Sequence, residues 1–321
     1  MALANVGKLK KQRKYGVSWR KDFRKNWSLY LLGLPVIAYF AIFHYLPMYG
    51  VIIAFKDFNM RAGMSFFQST IQSDWVGMKH FIDFFNSYYF WTILRNTLVI
   101  SISTLVFSFP IPIIFALLIN EIKNNKFSSL VKTISYLPHF ISLVVICGMV
   151  KQFVDQNGIV TQLLSTFGVA NQNMLNNPDY FVPIYVISNI WQTLGWDSII
   201  YIAAIAGVDM ELYEAAKIDG ANRWKQTIHI TVPSILPTII LLLIMQVGKI
   251  LNVGYEKIIL LYNPVTYETA DVISSFVYRK GLIDGSWSYS TAVGIFTSVI
   301  NLILLCTSNF ISKRVSETSL W

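Results

Sequence analysis

Six long stretches of this 321-residue chain are almost free of charge, and that pattern limits what it can fold into. Leu29 to Phe55 contains no Asp, Glu, Lys or Arg. Asn96 to Asn120 and Gly285 to Ser312 are likewise uncharged. Thr133 to Val150 and Tyr180 to Val208 each continue the pattern, the second interrupted by Asp197. A sixth run starts near Pro233, passes Gly248 and meets Lys249, Asn252 and Glu256. About 20 apolar residues cross the ~30 Å hydrocarbon core as a helix, because a helix satisfies its own backbone there. The expected fold is an all-α integral membrane protein with six transmembrane helices. Only 13% of residues are charged, about half of what a soluble domain carries. The first run is too long for a cleaved signal peptide and reads as an uncleaved span. Both cysteines, Cys147 and Cys306, fall in apolar runs, so no disulfide framework is expected.

Basic residues give the orientation. Nine of the 26 lie between Lys8 and Lys25, directly before the first run. With six spans, 17 basic residues fall on the side holding both termini and nine on the other. Lys and Arg concentrate in cytoplasmic loops, so both termini are expected in the cytoplasm. The net charge of +9 therefore reads as a membrane-flanking tail, not a nucleic-acid arm. Residues 1–28 form the basic tail, 29–94 the first span and an extracytoplasmic loop, 95–312 a five-span core, and 313–321 a second tail. Pro110 and Pro112 should kink the second span.

Between spans four and five lies a polar, helix-forming island at 209–233. From Leu212 it reads LYEAAKIDGANRWKQTIHITVP. Glu, Leu, Ala and Lys favour helix, and Gly220 permits a left-handed bend. A short helix, a bend and a second short helix are expected. Glu214-Ala215-Ala216, three residues, Gly220, nine residues, then Ile230 and Pro233 resemble the EAA loop of permease subunits of ATP-driven (ABC) importers. Val232 stands where that pattern usually has Leu. The resemblance implies coupling helices seated on a separate ATPase, with Glu214 as anchor, Ala215, Ala216 and Gly220 in close contact, and Asp219 and Ala221 alongside.

The finer likeness is to permeases for oligosaccharides and polysaccharide-derived sugars, carried by Trp191, Gly195, the WDSIIYIAA run from Trp196 to Ala204, and LYEAAKIDGANRW. It implies import of a carbohydrate, a second homologous permease, two ATPase subunits and an extracytoplasmic solute-binding protein, in a bacterial cytoplasmic membrane. It implies no enzyme activity and no cofactor on this chain, with ATP and Mg on the partner. The absence of G-x-x-x-x-G-K-[ST] agrees.

Polar residues inside hydrocarbon are costly and face protein or water. At helical spacing, Asn189, Gln192 and Trp196 share a face of span four, with Asp197 beside it. Gln246, Lys249, Asn252 and Glu256 share one in span five, and Thr291, Gly294, Ser298 and Asn301 one in span six. Rings and amides suit a sugar path; helix–helix bonding is the alternative reading. At ~1.5 Å per residue, Asp197 lies ~15 Å and Lys249 ~24 Å from the inner ends of their spans. An ion pair, a substrate contact and a Lys249 reaching the outer interface all remain open. The competing function is an ion-gradient-driven secondary transporter, which requires midplane ionisable groups; Asp197 is the clear one.

Overall fold

The computed structural model describes residues 19–315 and 318–320. Most of the basic tail, residues 1–18, lies outside them. The chain divides into two compact units, Met1–Ile52 and Ile53–Trp321.

In the first unit, α1 (Trp19–Phe40) passes into a π turn, Ala41–Tyr45, and then into a 3-10 stretch that begins at Leu46. In the second unit, α2 (Phe66–Gln72) and α3 (Lys79–Phe85) occupy what the sequence reads as a loop. Next come α4 (Phe90–Ser103), a π turn at Thr104–Ser108, and α5 (Pro110–Asn120). Then follow α6 (Asn125–Phe140), α7 (Leu143–Val154), α8 (Ile159–Ser165) and the 29-residue α9 (Pro178–Ala206). The island forms α10 (Met210–Ile218) and α11 (Arg223–Gln226), and a π turn at Thr227–Thr231 leads into α12 (Val232–Val247). The chain ends with α13 (Tyr255–Leu261), α14 (Tyr267–Ala270), α15 (Ile273–Tyr278) and α16 (Trp287–Val315). Among the described residues the only β pairing is one isolated bridge, Lys56 to Trp75.

Among the described residues, three of the four π turns end two residues before a proline: Tyr45 and Pro47, Ser108 and Pro110, Thr231 and Pro233. A proline in a helix has no N–H and its ring clashes with the carbonyl four residues back. That carbonyl belongs to Phe43, Val106 or His229, each inside its π turn. Wider bonding lets the helix continue: Leu46 N–H donates to the Ala41 carbonyl and Val232 N–H to that of Thr227. The expected kink at Pro110 thus takes the form of a π turn.

Among the described residues, five segments are long and apolar enough to cross a membrane: Asp22–Phe55, Phe90–Asn120, Leu143–Ser165, Arg223–Val247 and Trp287–Arg314. Two expectations need correction. The run Thr133–Val150 is not one helix. Ile141 is extended and Ser142 accepts from Val145 N to start α7, just after Pro138 removes a helical donor from α6. The helix of span five stops at Val247, with Gly248 as its C-cap. Between the fifth and sixth runs the chain forms short helices.

α9 is the central element of the second unit. With α7 and α13 it packs Ile146, Cys147, Phe181, Ile184 and Ile258. With α5 and α12 it packs Ala116, Tyr201, Ile205 and Ile235. Phe84, Phe90, Ile93, Ile273, Phe276 and Val293 form a second layer. In lipid, where tails are as apolar as Leu, close packing and internal hydrogen bonds hold helices together more than water exclusion does. Asn96 shows this: its buried amide donates to the Glu268 and Asp271 carbonyls. Asp271 in turn is bridged by both Arg279 guanidinium nitrogens, Nη1 to Oδ1 at 2.8 Å. These bonds hold Arg279 above the usual guanidinium range.

Candidate functional site

Two adjoining cavities lie between α4 with its π turn, α9 and α12. One of about 420 Å³ is lined by Thr104, Ser108, Asn189, Thr193, Asp197, Gln246 and Lys249. The other, about 190 Å³, shares Thr104, Asn189, Gln246 and Lys249 and adds Asn252. Asn189, Thr193 and Asp197 are spaced by four along α9, so they share one face.

The Thr104 and Ser108 hydroxyls are buried and have no hydrogen-bond partner among the described residues. Many helical Ser and Thr hydroxyls in this protein donate to a carbonyl three or four residues back, as Thr97 does to Ile93 and Thr297 to Val293. Thr104 and Ser108 bound the π turn, at its first and last positions, and stay free for a guest in the cavity. Lys249 makes no ion pair among the described residues. It shares the larger cavity with Asp197, an acid and a base on one wall system without a direct bridge.

The structure therefore gathers Asn189, Asp197, Gln246, Lys249 and Asn252, and adds Thr193, Thr104 and Ser108. It does not gather the rest. Gln192 lines neither cavity. Trp196 stacks on His139 of α6, with centroids 4.3 Å apart and planes within 3°. Asn301 is buried; its amide donates to Asn252 Oδ1 at 3.0 Å and its oxygen accepts from Leu251 N at 3.2 Å. Gln246, Lys249, Asn252 and Glu256 do not share a helical face, because the chain turns at Gly248–Gly254. In α16, Thr291 and Ser298 donate to their own helix, at Trp287 and Gly294. Thr193 was findable four residues before Asp197; Thr104 and Ser108 lie in an uncharged run and carry no signal beyond their hydroxyls.

The island forms a second site. Asp209 caps α10 by accepting from Glu211 N, and Asn222 caps α11 by accepting from Lys225 N. Between them Gly220 takes φ +73°, a left-handed conformation that suits glycine. Ala221 N donates back to the Ala216 carbonyl at 2.8 Å, which closes α10. No residue of α10 or α11 is buried. Glu214, Ala215, Asp219 and Gly220 are exposed, Ala216 and Ala221 half-buried. Ile218 is 87% and Trp224 71% exposed.

Residues 108–317 match the family described as binding-protein-dependent transport system inner membrane component. The chain belongs to that family. This inner-membrane component is 40% identical over 307 residues to Protein LplB of Bacillus subtilis (strain 168), covering 95% of each chain. It is 42% identical over 295 residues to the polygalacturonan/rhamnogalacturonan transport system permease protein YteP of the same organism, covering 91% of this chain and 90% of that one. A crystal structure of a bacterial alginate ABC transporter, in complex with an alginate pentasaccharide-bound periplasmic protein, contains a chain 43% identical to it. That chain superposes with a TM-score of 0.84, over 94% of this chain and 99% of the other. The family member described here is a multi-pass membrane transport subunit and not an enzyme. An ion-gradient-driven carrier has no support among these relatives.

Proposed function

We propose that this chain forms, with a second homologous permease, the translocation path of an ATP-driven importer for an oligosaccharide. The observation that carries the reading is the island. Two capped helices stand with no buried residue and present Ile218 and Trp224 to the outside, as a surface made to be covered does. Two ATPase subunits would take Glu214, Ala215, Ala216 and Gly220 into a cleft, with Asp219 and Ala221 at the bend. ATP and Mg would reside on them, and no cofactor on this chain. An extracytoplasmic binding protein would deliver the sugar. Six spans with both termini cytoplasmic place the island where an ATPase reaches it. The tails (1–28 and 313–321) and the first span and loop (29–94) then flank a permease core at 95–312.

The path on this chain runs past Thr104, Asn189, Thr193, Asp197, Gln246, Lys249 and Asn252. Free hydroxyls and amides exchange hydrogen bonds with sugar hydroxyls, and the unpaired Lys249 suits a carboxylate. An acidic oligosaccharide fits that charge, as the named cargoes of the relatives do. ATP binding closes the ATPases, the docked island moves, and the two permeases exchange inward- for outward-facing forms. No covalent step falls on this chain.

The test is purification of the tagged chain from native membranes beside Glu214→Arg. A second permease and an ATPase should accompany the parent chain, and the ATPase should be lost from the variant. Emergence of the parent chain alone in mild detergent would overturn the reading.

A further inference from the structure

The exposed island raises a mechanical question: what carries its motion into the membrane helices? Packing does little of this. A cavity of about 660 Å³ lies between the island and the ends of α5 and α9, lined by Glu121, Val208, Tyr213, Lys217 and Arg223 among others. A push on α10 could close that space before it moved anything. Most of the hydrogen bonds at the island stay within it: Glu211 to Asp209, Lys225 to Asn222, Gln226 to the Ala221 carbonyl.

Two ties leave the short helices α10 and α11, one toward the foot of α12 and one across the cavity to α5. The Tyr213 hydroxyl lies 2.8 Å from Thr231 Oγ1, and Thr231 is 1% exposed at the last position of the π turn that starts α12. Arg223 Nη1 donates to Glu121 twice, to Oε2 at 3.2 Å and to the main-chain carbonyl at 3.3 Å. Thr227 Oγ1 stands 3.4 Å from Glu121 Oε1. Glu121 is the C-cap of α5 and opens the four-residue turn to α6. One tie therefore holds α10 to the foot of α12, and the other holds α11 to the joint of α5 and α6. α5, α9 and α12 share the Ala116, Tyr201, Ile205 and Ile235 cluster, and α12 carries Gln246 on the cavity wall.

We infer that Tyr213–Thr231 and Arg223–Glu121 are the transmission ties of this subunit: positioning pairs that make movement of the island movement of α5, α6 and α12. This rests on the ATP-driven importer reading. An exposed ion pair adds little stability, so its value lies in coupling, where 1–3 kcal/mol between sites is typical.

The experiment uses the whole complex in proteoliposomes with the parent chain carrying Cys306→Ser, since Cys306 is exposed while Cys147 is buried. Gln246→Cys reports the cavity through its labelling rate with a hydrophilic maleimide, with and without ATP and vanadate. In the parent, nucleotide should change that rate about five-fold or more, the size of a typical coupling energy. In Glu121→Gln and in Tyr213→Phe the ATPase should stay bound while the change shrinks toward none. The charge-exchanged pair Glu121→Arg with Arg223→Glu should restore it. A full nucleotide response in both single variants overturns the inference alone. Loss of the ATPase from the single variants also overturns it, by assigning Glu121 and Tyr213 to docking. A parent chain that retains no ATPase overturns the importer reading as well.

Discussion

Gly195 of α9 lies directly against the Ser135 carbonyl of α6: a Cβ at 195 would stand 2.2 Å from that oxygen and 2.7 Å from Tyr136 Cδ1. The two helices meet backbone to backbone, the kind of approach that small residues permit in membranes. The neighbouring Trp196 then falls onto His139.

Gly195→Ala should force these helices apart, because the obstacle is backbone and cannot rotate away. A loss of about 1–3 kcal/mol is expected for such overpacking, read as a lowered melting temperature in detergent. Gly148→Ala, whose Cβ would meet nothing within 4 Å, should leave the melting temperature nearly unchanged.

Trp196 and Thr193 separate structure from path. Trp196→Ala should lower stability through the lost ring stack and leave apparent substrate affinity in vesicle uptake alone. Thr193→Val, which keeps the volume and removes the cavity hydroxyl, should weaken affinity with little change in melting. The reverse pattern would return Trp196 to the path.

Lys249→Met should leave subunit assembly intact and cut uptake of an acidic oligosaccharide about ten-fold or more, the scale of one charge-assisted hydrogen bond. A carboxyl-reduced version of the same sugar should be affected much less. Equal losses for both would assign Lys249 a structural role.

Asp271→Ala strands Arg279, which the acid bridges with both oxygens, and removes the acceptor of the Ser275 hydroxyl, while the main-chain carbonyl that accepts from Asn96 stays. Asp271 is 7% and Arg279 24% exposed at the side chain, so a loss near 3 kcal/mol is expected from breaking a buried pair. The exposed Lys280–Asp284 pair at 2.8 Å gives a comparison: Asp284→Ala should cost under about 1 kcal/mol. Both are read by thermal melting of the same preparation.

The outline of the island was legible, though its caps, Asp209 and Asn222, were not read from the sequence. Its left-handed glycine and its helix, bend and helix depend on neighbours a few positions away, and local chemistry decides such features. Of the proline-linked π turns only the one before Pro110 was read in the sequence, and there as a kink. The lining of the two cavities was half legible. Asn189, Asp197, Gln246, Lys249 and Asn252 were marked by the cost of polar groups in an apolar run.

What the sequence by itself determined is the set of long apolar runs, the polar positions within them and the island's local geometry, since each follows from backbone satisfaction and nearby side chains. What only the tertiary structure decided is which way those positions look. Helical period fixes Trp196 relative to Asp197, but His139 and the Gly195–Ser135 contact fix the rotation of α9 that sends one to α6 and the other to the cavity. The end of α12 was decided in the same way. Leu251 N and Asn252 find their hydrogen bonds on Asn301, about 50 residues away, so the chain turns there. A partner that distant in sequence leaves no periodic trace at the place it acts.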